Sequence, residues 1–311
     1  MLAAPLGSSE VSVVTGAFSY TGSYIASRLL ATGKRVRVLT GHPKRPHPFG
    51  DGVGVASLDF GHPSELTRSL RGAATLYNTY WVRFAHGEVN FDTAIRNTET
   101  LIKAAKDAGV RRIVHLSVSN ASLDSPLPYF RGKATVEKMI TQSGLSYAII
   151  RPTVIFGVGD ILINNIAWLL RRLPVFAIPG TGEYRLQPIS VEDVAEIAIG
   201  EGSSAENTIV DAAGPDTFTF TELVRLVAWK VGSKARLVHL PPNLALLLAG
   251  LVGRLVRDVL LTRDELDGLM ANLLISDNPP IGRTRLSDWL DEHTDRLGVE
   301  YASELNRHYR T

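Results

Sequence analysis

Two side chains capable of proton transfer lie one helical turn apart near the middle of the chain. Tyr129 and Lys133 are spaced i and i+4 in a stretch with helical periodicity, so they share one helix face. A nearby ammonium favours the phenolate form of a tyrosine, which suits proton transfer to or from a substrate oxygen. Ser119 follows an apolar run and supplies a hydroxyl that can orient that oxygen, with Ser117 as the alternative. These residues predict an acid–base centre.

A glycine-containing segment near the beginning of the chain is typical of phosphate binding. The β-branched run Val11–Thr15 leads into Gly16-Ala-Phe-Ser-Tyr-Thr-Gly22 and then into a helical stretch. In a strand–turn–helix of this kind, backbone N–H groups and the helix dipole hold a dinucleotide pyrophosphate. We therefore expect cofactor contacts at Gly16, Phe18, Ser19, Tyr20, Thr21 and Gly22. A purely structural turn is the alternative, because Ser19 stands where the pattern G-x-x-G-x-x-G has its middle glycine.

The residues after the second predicted strand indicate which dinucleotide would bind. NAD-specific folds place a carboxylate there for the ribose 2′-hydroxyl, whereas this chain has His42, Lys44 and Arg45. These cations would attract a 2′-phosphate, so NADP(H) is favoured and NAD(H) is the alternative. A solvated surface loop would also explain them. The remaining expected cofactor contacts are Asp59 and Phe60 at the adenine, Lys133 at the nicotinamide ribose, and Asn78 and Pro152.

Alternating strands and helices would position these residues in the first half of the chain. Strands are predicted at Val11–Thr15, Val36–Thr40, Val53–Leu58, Ala74–Thr79, Arg112–Val118 and Leu145–Ile150. Helices are predicted at Ser23–Thr32, Glu65–Leu70, Phe91–Ala108 and Tyr129–Gln142. Near-continuous apolar strands separated by helices indicate an α/β fold, namely a doubly wound parallel (Rossmann) sheet covered on both faces.

The second half predicts a smaller, mostly helical C-terminal lobe that would bind the substrate. We place the dinucleotide-binding domain at residues 1–155 and the lobe at 156–311, interleaved around 184–212. Ser190-Val-Glu-Asp193 predicts a capping box that opens a helix over Val191–Ile199. The segment 244–261 combines a broad apolar face with Arg254 and Arg257. Packing against the lobe or a partner subunit is the favoured interpretation, and a peripheral membrane contact or an apolar substrate tail is the alternative.

Composition excludes several classes of function. The 311 residues contain no cysteine, which rules out disulfides, thiolate metal sites and a thiol nucleophile, and the eight histidines have no metal-ligand spacing. A net charge of +2 gives no general attraction to nucleic acid. The first ten residues lack a signal-peptide pattern, and the longest apolar run, Leu244–Gly253, is too short to span a membrane. We expect a cytoplasmic protein with a small-molecule substrate, and homo-oligomerisation stays open.

These motifs resemble the short-chain dehydrogenase/reductase superfamily over about the first 200 residues. The likeness rests on Thr15–Gly22, Ser119, Tyr129 with Lys133, and Arg151-Pro-Thr-Val-Ile-Phe-Gly157. It is greatest for the extended and atypical branches, among epimerase/dehydratase-like and NmrA-like proteins, and includes the NADPH-binding accessory subunit of respiratory complex I. The resemblance implies that Ser119 orients a carbonyl, Tyr129 is the acid/base and Lys133 binds the ribose. Asn97 would correspond to the superfamily's structural or proton-relay asparagine.

Two classes of function agree with this pattern. The first is an NAD(P)-dependent oxidoreductase, or an epimerase or dehydratase, that transfers hydride at a carbon bearing oxygen. In it Tyr80 and Trp81, which follow the fourth predicted strand, would line the substrate site together with Asn97, although ordinary packing explains these aromatics as well. The second is a non-catalytic structural or regulatory protein that binds NADPH.

Overall fold

The computed structural model of the chain describes residues 10–87 and 89–308. Residues 1–9, on which the prediction of no signal peptide largely rests, lie outside this range. The strands are β1 (Val11–Thr15), β2 (Arg35–Thr40), β3 (Val53–Ser57), β4 (Ala73–Asn78), β5 (Arg112–Leu116), β6 (Ser146–Pro152), β7 (Val154–Phe156), β8 (Val175–Pro179), β9 (Arg185–Leu186), β10 (Pro188–Ser190), β11 (Thr208–Ala212), β12 (Phe218–Thr219) and β13 (Arg236–Leu240). The helices are α1 (Tyr20–Ala31), α2 (Pro63–Leu70), α3 (Phe91–Asp107), α4 (Pro128–Thr141), α5 (Leu162–Arg172), α6 (Val191–Ser203), α7 (Phe220–Lys230), α8 (Pro242–Val256), α9 (Arg263–Met270), α10 (Leu286–His293) and α11 (Glu304–His308).

The chain divides into two compact units. One falls within Met1–Ser117, Arg131–Ile150 and Ala195–Val210, and the other within Val118–Phe130, Arg151–Val194 and Asp211–Thr311. The grouping of Val118–Phe130 with the second unit differs from a single boundary near residue 155. The helix α4 therefore contains residues of both units.

A seven-stranded sheet in the order β11-β6-β5-β4-β1-β2-β3 carries the first unit. Every pairing from β3 through β6 is parallel, which confirms the predicted doubly wound sheet. Its central strands are buried because most of their residues are β-branched or otherwise apolar. In the fully buried β5, Arg112 and His115 are the polar exceptions. The core contains Val13, Leu76, Leu101, Ile113 and Ile149, all with no solvent exposure.

The strand order reverses direction beside β1. The chain runs from β1 outward through β2 to β3, then crosses to β4 on the other side of β1. Parallel sheets of this kind bind ligands outside the carboxyl ends of the strands at such a switch point. Thr15 and Asn78, the last residues of β1 and β4, lie at that point. The topology therefore places the predicted glycine loop, which begins at Gly16, where a dinucleotide is expected.

The second unit is mainly helical and contains three two-stranded sheets, which pair β10 with β7, β12 with β9 and β13 with β8. The apolar faces of α5 and α7 bury its core, which includes Ile163, Leu186, Leu223 and Val227. The helix α7 begins at a true capping box, in which the Thr219 hydroxyl and the Glu222 carboxylate accept from each other's backbone N–H groups. The prediction of a mostly helical lobe is confirmed.

The predicted capping box at α6 is wrong, although the helix itself is present. The Ser190 hydroxyl accepts from the N–H of Glu192, not from the residue after it. The Asp193 carboxylate accepts instead from the backbone N–H groups of Arg283 and Thr284, each at 2.8 Å. The sequence predicts a local cap because nothing near Asp193 indicates that its partner lies 90 residues further on.

Candidate dinucleotide site

A tight turn joins β1 to α1. Gly16 has φ of +65°, a left-handed conformation that other residues avoid, and a Cβ there would lie 2.7 Å from the Thr79 hydroxyl. A Cβ on Gly22 would lie 2.3 Å from the carbonyl oxygen of Gly16. Since Gly22 is in the first turn of α1, the helix starts in direct contact with the loop. Glycine is required at both ends of the turn.

The first turn of α1 has no anion of its own. Ser19, the residue before the helix, has φ of −109° and ψ of −175° and makes no side-chain capping hydrogen bond. The first turn contains no acidic residue. Ser19 is in an extended conformation open to any residue, so the missing middle glycine is no obstacle to the turn. An uncapped helix start with its positive dipole end is suited to a pyrophosphate.

Two aromatic residues beside this loop, His47 and Phe49, were not predicted as part of the site. The ring of Phe18 stacks on His47 at 4.5 Å between centroids, and Phe49 lies 6.3 Å from Phe18. The stack joins the glycine loop to the segment after β2, where His42, Lys44 and Arg45 are exposed. The cations can therefore meet a 2′-phosphate from solvent. The signal for these contacts in the sequence is the aromatic pair in His47-Pro-Phe49.

A buried polar network lies behind the glycine loop. The Thr15 hydroxyl accepts from the N–H of Thr79 at 2.9 Å and donates to Asn78 Oδ1 at 3.1 Å. Asn78 Nδ2 donates to His115 Nδ1 at 3.1 Å, and both side chains have no solvent exposure. Burial holds the pKa of His115 well below its usual range, so the imidazole is neutral. The polar atoms of Asn78 bond within the protein, and the predicted cofactor contact at Asn78 stays a prediction.

The residues after β3 form a local pair. The Asp59 carboxylate accepts from the N–H of Gly61 and from His62 Nδ1, each at 2.8 Å. The hydrogen bond from His62 lowers the pKa of Asp59, and the same bond raises the pKa of His62. Phe60 packs against Tyr80 at 4.9 Å between ring centroids. Asp59 and Phe60 are both partly exposed, and adenine contact at both stays a prediction.

The predicted substrate residues Tyr80, Trp81 and Asn97 lie in the first unit. Asn97 Nδ2 donates to the Tyr80 hydroxyl at 2.8 Å, and burial raises the pKa of Tyr80. The ring of Trp81 stacks near Phe91 and covers the ammonium of Lys133, which lies 4.8 Å from the ring centroid. Trp81 therefore contributes to packing around Lys133. A role of these three residues in substrate binding stays a prediction.

Lys133 is buried, with 3% of its surface exposed. Its Nζ donates to the carbonyl of Leu116 at 2.6 Å. Burial lowers the pKa of Lys133 to about 7, opposed by the charge of Glu137. The Ser117 hydroxyl donates to the same Glu137 carboxylate. The Lys133 ammonium is thus covered and hydrogen-bonded inside the unit, and its contact with a nicotinamide ribose stays a prediction.

Ser119 and Tyr129 belong to the second unit and differ in exposure. Ser119 has no solvent exposure, and its hydroxyl donates to the carbonyl of Leu273 at 2.7 Å. Pro152 is also buried, and its carbonyl accepts from the N–H of Ser119. A carbonyl-orienting role for Ser119 and a cofactor contact at Pro152 stay predictions. Tyr129 is partly exposed and packs edge-on against Phe130 at 5.5 Å.

Among the residues that the structure describes, no group of three His, Asp or Glu side chains is placed to hold a metal ion. Within the same ranges, none of the helices combines the length and the apolar character that crossing a membrane requires.

Comparison with known proteins identifies the family. The model of the NmrA-like family matches residues 8–276. The chain belongs to this family. The chain has the NAD(P)-binding fold of NmrA-like and of epimerase- or reductase-type proteins. The switch point beside β1 is part of that fold.

Curated relatives of this NmrA-like chain include proteins of different kinds. The Arabidopsis thaliana protein named NADH dehydrogenase [ubiquinone] 1 alpha subcomplex subunit 9, mitochondrial, is 26% identical over 288 residues, 86% of this chain and 71% of that protein. The ceramide reductase of Caulobacter vibrioides is 29% identical over 236 residues, 74% of each chain. Among solved structures, the Escherichia coli NADPH-dependent quinone oxidoreductase in complex with NADPH superimposes with a TM-score of 0.73. It is 22% identical, and the match covers 92% of this chain and 99% of that one. The solved structure confirms the fold.

Proposed function

We propose that this NmrA-like chain binds NADP(H) and reduces an oxidised organic acceptor. The observation that carries the proposal is the start of α1, which has neither a side-chain cap nor an acidic residue in its first turn. A glycine turn that tolerates no Cβ leads into that helix. Together they provide a site for a pyrophosphate at the switch point of the sheet.

The loop after β2 supports the choice of NADP(H). Lys44 and Arg45 are exposed there, and the stack of Phe18 on His47 holds the segment near the glycine loop. Charge-assisted hydrogen bonds from these cations would bind a 2′-phosphate, which NAD(H) lacks. The relatives whose names include NADPH or reductase agree with this choice.

Tyr129 is the residue that we assign to proton transfer. When bound, the reduced coenzyme supplies a hydride to the carbon of a carbonyl or quinone-type acceptor. The Tyr129 hydroxyl gives its proton to the acceptor oxygen, and water replaces that proton. Ser119 and Lys133 donate to backbone carbonyls inside the protein, so the assignment rests on Tyr129. An epimerase or dehydratase would instead oxidise its substrate transiently, with the same residue moving the proton.

The test compares two tyrosine substitutions in the full-length chain. We expect Tyr129→Phe to lower kcat at least about a hundredfold across a panel of aldehydes, ketones and quinones, with the Kd for NADPH unchanged. Tyr147→Phe, on β6, is the matched control and keeps full activity. Loss of nicotinamide absorbance gives the rate, and calorimetry gives the Kd. Equal turnover by the two variants would remove Tyr129 from the mechanism.

A specific observation favours a second candidate, a protein in which bound NADPH is structural or regulatory. The hydroxyls of Ser117 and Ser119 and the ammonium of Lys133 all donate to internal acceptors. The plant relative is named as a subunit of an NADH dehydrogenase. Tight NADPH binding with no oxidation across the same panel would favour this candidate over the reductase.

The proposal includes a cytoplasmic location. The plant relative is named as mitochondrial, so the proposal places this chain and that relative in different compartments. Fractionation of cells that express the full chain from its own start distinguishes these locations.

A further inference from the structure

His115 is a buried histidine that the proposed proton transfer does not use. It is the fourth residue of β5 and has no solvent exposure. Its two ring nitrogens have different surroundings. Nδ1 lies 3.1 Å from Asn78 Nδ2, whereas Nε2 is buried without a hydrogen-bond partner in the part of the chain that the structure describes. Because a neutral imidazole has one accepting and one donating nitrogen, the neighbours of Nδ1 decide what this residue can do.

The orientation of the Asn78 amide decides the role of Nδ1. Asn78 Oδ1 lies 3.1 Å from the backbone nitrogen of Tyr80 and 3.1 Å from the Thr15 hydroxyl. A backbone N–H only donates, so the oxygen of the amide must face Tyr80 and its NH2 group must face His115. The accepting nitrogen of His115 is therefore Nδ1.

The same amide joins the turn after β4 to the turn after β1. The Thr15 hydroxyl donates to Asn78 Oδ1, which leaves its oxygen to accept from the N–H groups of Thr79 at 2.9 Å and Tyr80 at 3.2 Å. The Thr79 hydroxyl donates in return to the Thr15 carbonyl at 2.6 Å. Thr79 also lies against Gly16, where a Cβ would be 2.7 Å from its hydroxyl. The position of the glycine turn thus depends on this network.

We propose that His115 is a positioning residue for the dinucleotide, which it affects through Asn78 and Thr15 without touching it. The inference rests on the proposed function, since it concerns the same NADP(H) site. With no acceptor at the position of Nδ1, the Asn78 NH2 group would be buried without a partner. Rotation of the amide would not relieve this, because it would turn the NH2 group toward the N–H of Tyr80.

Two amide substitutions of His115 in the full-length chain test the proposal. His115→Asn places an amide oxygen at the distance of Nδ1 along the side chain, whereas His115→Gln places its amide one bond further, at the distance of Nε2. We expect His115→Asn to bind NADPH within about threefold of the wild type and His115→Gln to bind it at least about tenfold more weakly. A residue that only fills the core predicts the opposite order, because the shorter asparagine leaves the larger cavity. Calorimetric titration gives each Kd, and chemical denaturation shows that each variant is folded.

A second pair of substitutions covers the case in which His115→Gln does not fold. Thr15→Ser keeps the hydroxyl, whereas Thr15→Val keeps the shape of threonine without it. We expect the valine variant to bind NADPH at least about tenfold more weakly than the serine variant.

The possible failures are distinguishable. Equal affinities of the two His115 variants, or weaker binding by His115→Asn, would overturn the positioning role while the wild type still binds NADPH. Equal affinities of the two Thr15 variants would overturn it as well. A wild-type chain that does not bind NADPH would instead remove the proposed function, and this inference with it.

Discussion

The first turns of α1 and α5 differ in whether a carboxylate of the chain accepts from their exposed backbone N–H groups. Each helix follows a strand and a glycine-containing loop, and each exposes backbone N–H groups in its first turn. At α5, the Asp160 carboxylate accepts from the N–H groups of Ile163 at 2.7 Å and Asn164 at 3.3 Å. At α1, Ser19 makes no such bond. The chain thus places a carboxylate at the start of α5 and none at the start of α1.

Burial disfavours the charged form of the Asp160 carboxylate at the start of α5. Asp160 is 1% exposed, and burial raises its pKa to about 7 despite the backbone N–H groups that bond it. At α1 no buried carboxylate competes with a ligand, since the first turn is free of acids. A helix start that could bind a phosphate is thus recognised by what the chain leaves out, as well as by its glycines.

Substitution at Gly22 should have the largest effect on this comparison. A valine side chain would overlap the carbonyl of Gly16, so the loop and the helix must separate. We expect Gly22→Val to weaken NADPH binding at least about a hundredfold and to lower the free energy of unfolding by about 2 to 4 kcal/mol. Calorimetric titration and chemical denaturation measure the two effects.

Gly200→Ala is the matched control for Gly22→Val. Gly200 also lies within a helix, and a Cβ there meets nothing within 4 Å. Alanine should raise the free energy of unfolding by up to about 1 kcal/mol and leave NADPH binding unchanged. If Gly22→Val bound NADPH as tightly as this control, the glycine turn would have no part in the site.

Giving α1 an anion of its own should make it resemble α5. We expect Ser19→Asp to cap the helix and raise the free energy of unfolding by about 0.5 to 1 kcal/mol. The same carboxylate would repel a pyrophosphate and lower NADPH affinity at least about tenfold. Ser19→Ala, which removes the hydroxyl without adding charge, should change the affinity less than about threefold. Unchanged affinity in Ser19→Asp would place the pyrophosphate elsewhere.

Removing the charge at α5 tests the other side of the comparison. The folded-state pKa of Asp160, about 7, exceeds the usual 3.8, so between these values the folded state binds more protons and loses stability as pH rises. Asp160→Asn lacks this dependence. Its stability relative to the wild type should therefore increase by about 1 to 4 kcal/mol between pH 4 and pH 8. A constant difference across that range would show that the carboxylate is not destabilised by burial.

The fold and the glycine turn before α1 could be predicted because their signals are local. The β-branched runs specify buried strands, and the segment from Gly16 to Gly22 directly follows the first of them. Each of the six predicted strands lies within two residues of its predicted ends. The seventh strand of the sheet, β11, was not predicted.

The chemical half was harder to predict because its partners are distant in sequence. The i and i+4 spacing shows that Tyr129 and Lys133 share a helix face, but not that the ammonium bonds to Leu116 under Trp81. The acceptor for Ser119, the carbonyl of Leu273, lies 154 residues further on. Likewise, the pattern of α8 identifies an apolar face, but only the tertiary structure decides whether it is covered.

Calorimetric titration of the full-length chain with NADPH and with NADH tests the central claim most directly. The claim is that the first turn of α1 and the cations after β2 hold a dinucleotide phosphate. It predicts one site per chain, with NADPH bound at least about tenfold more tightly than NADH because Lys44 and Arg45 meet the 2′-phosphate. The absence of binding heat and of a thermal upshift with both coenzymes would contradict it.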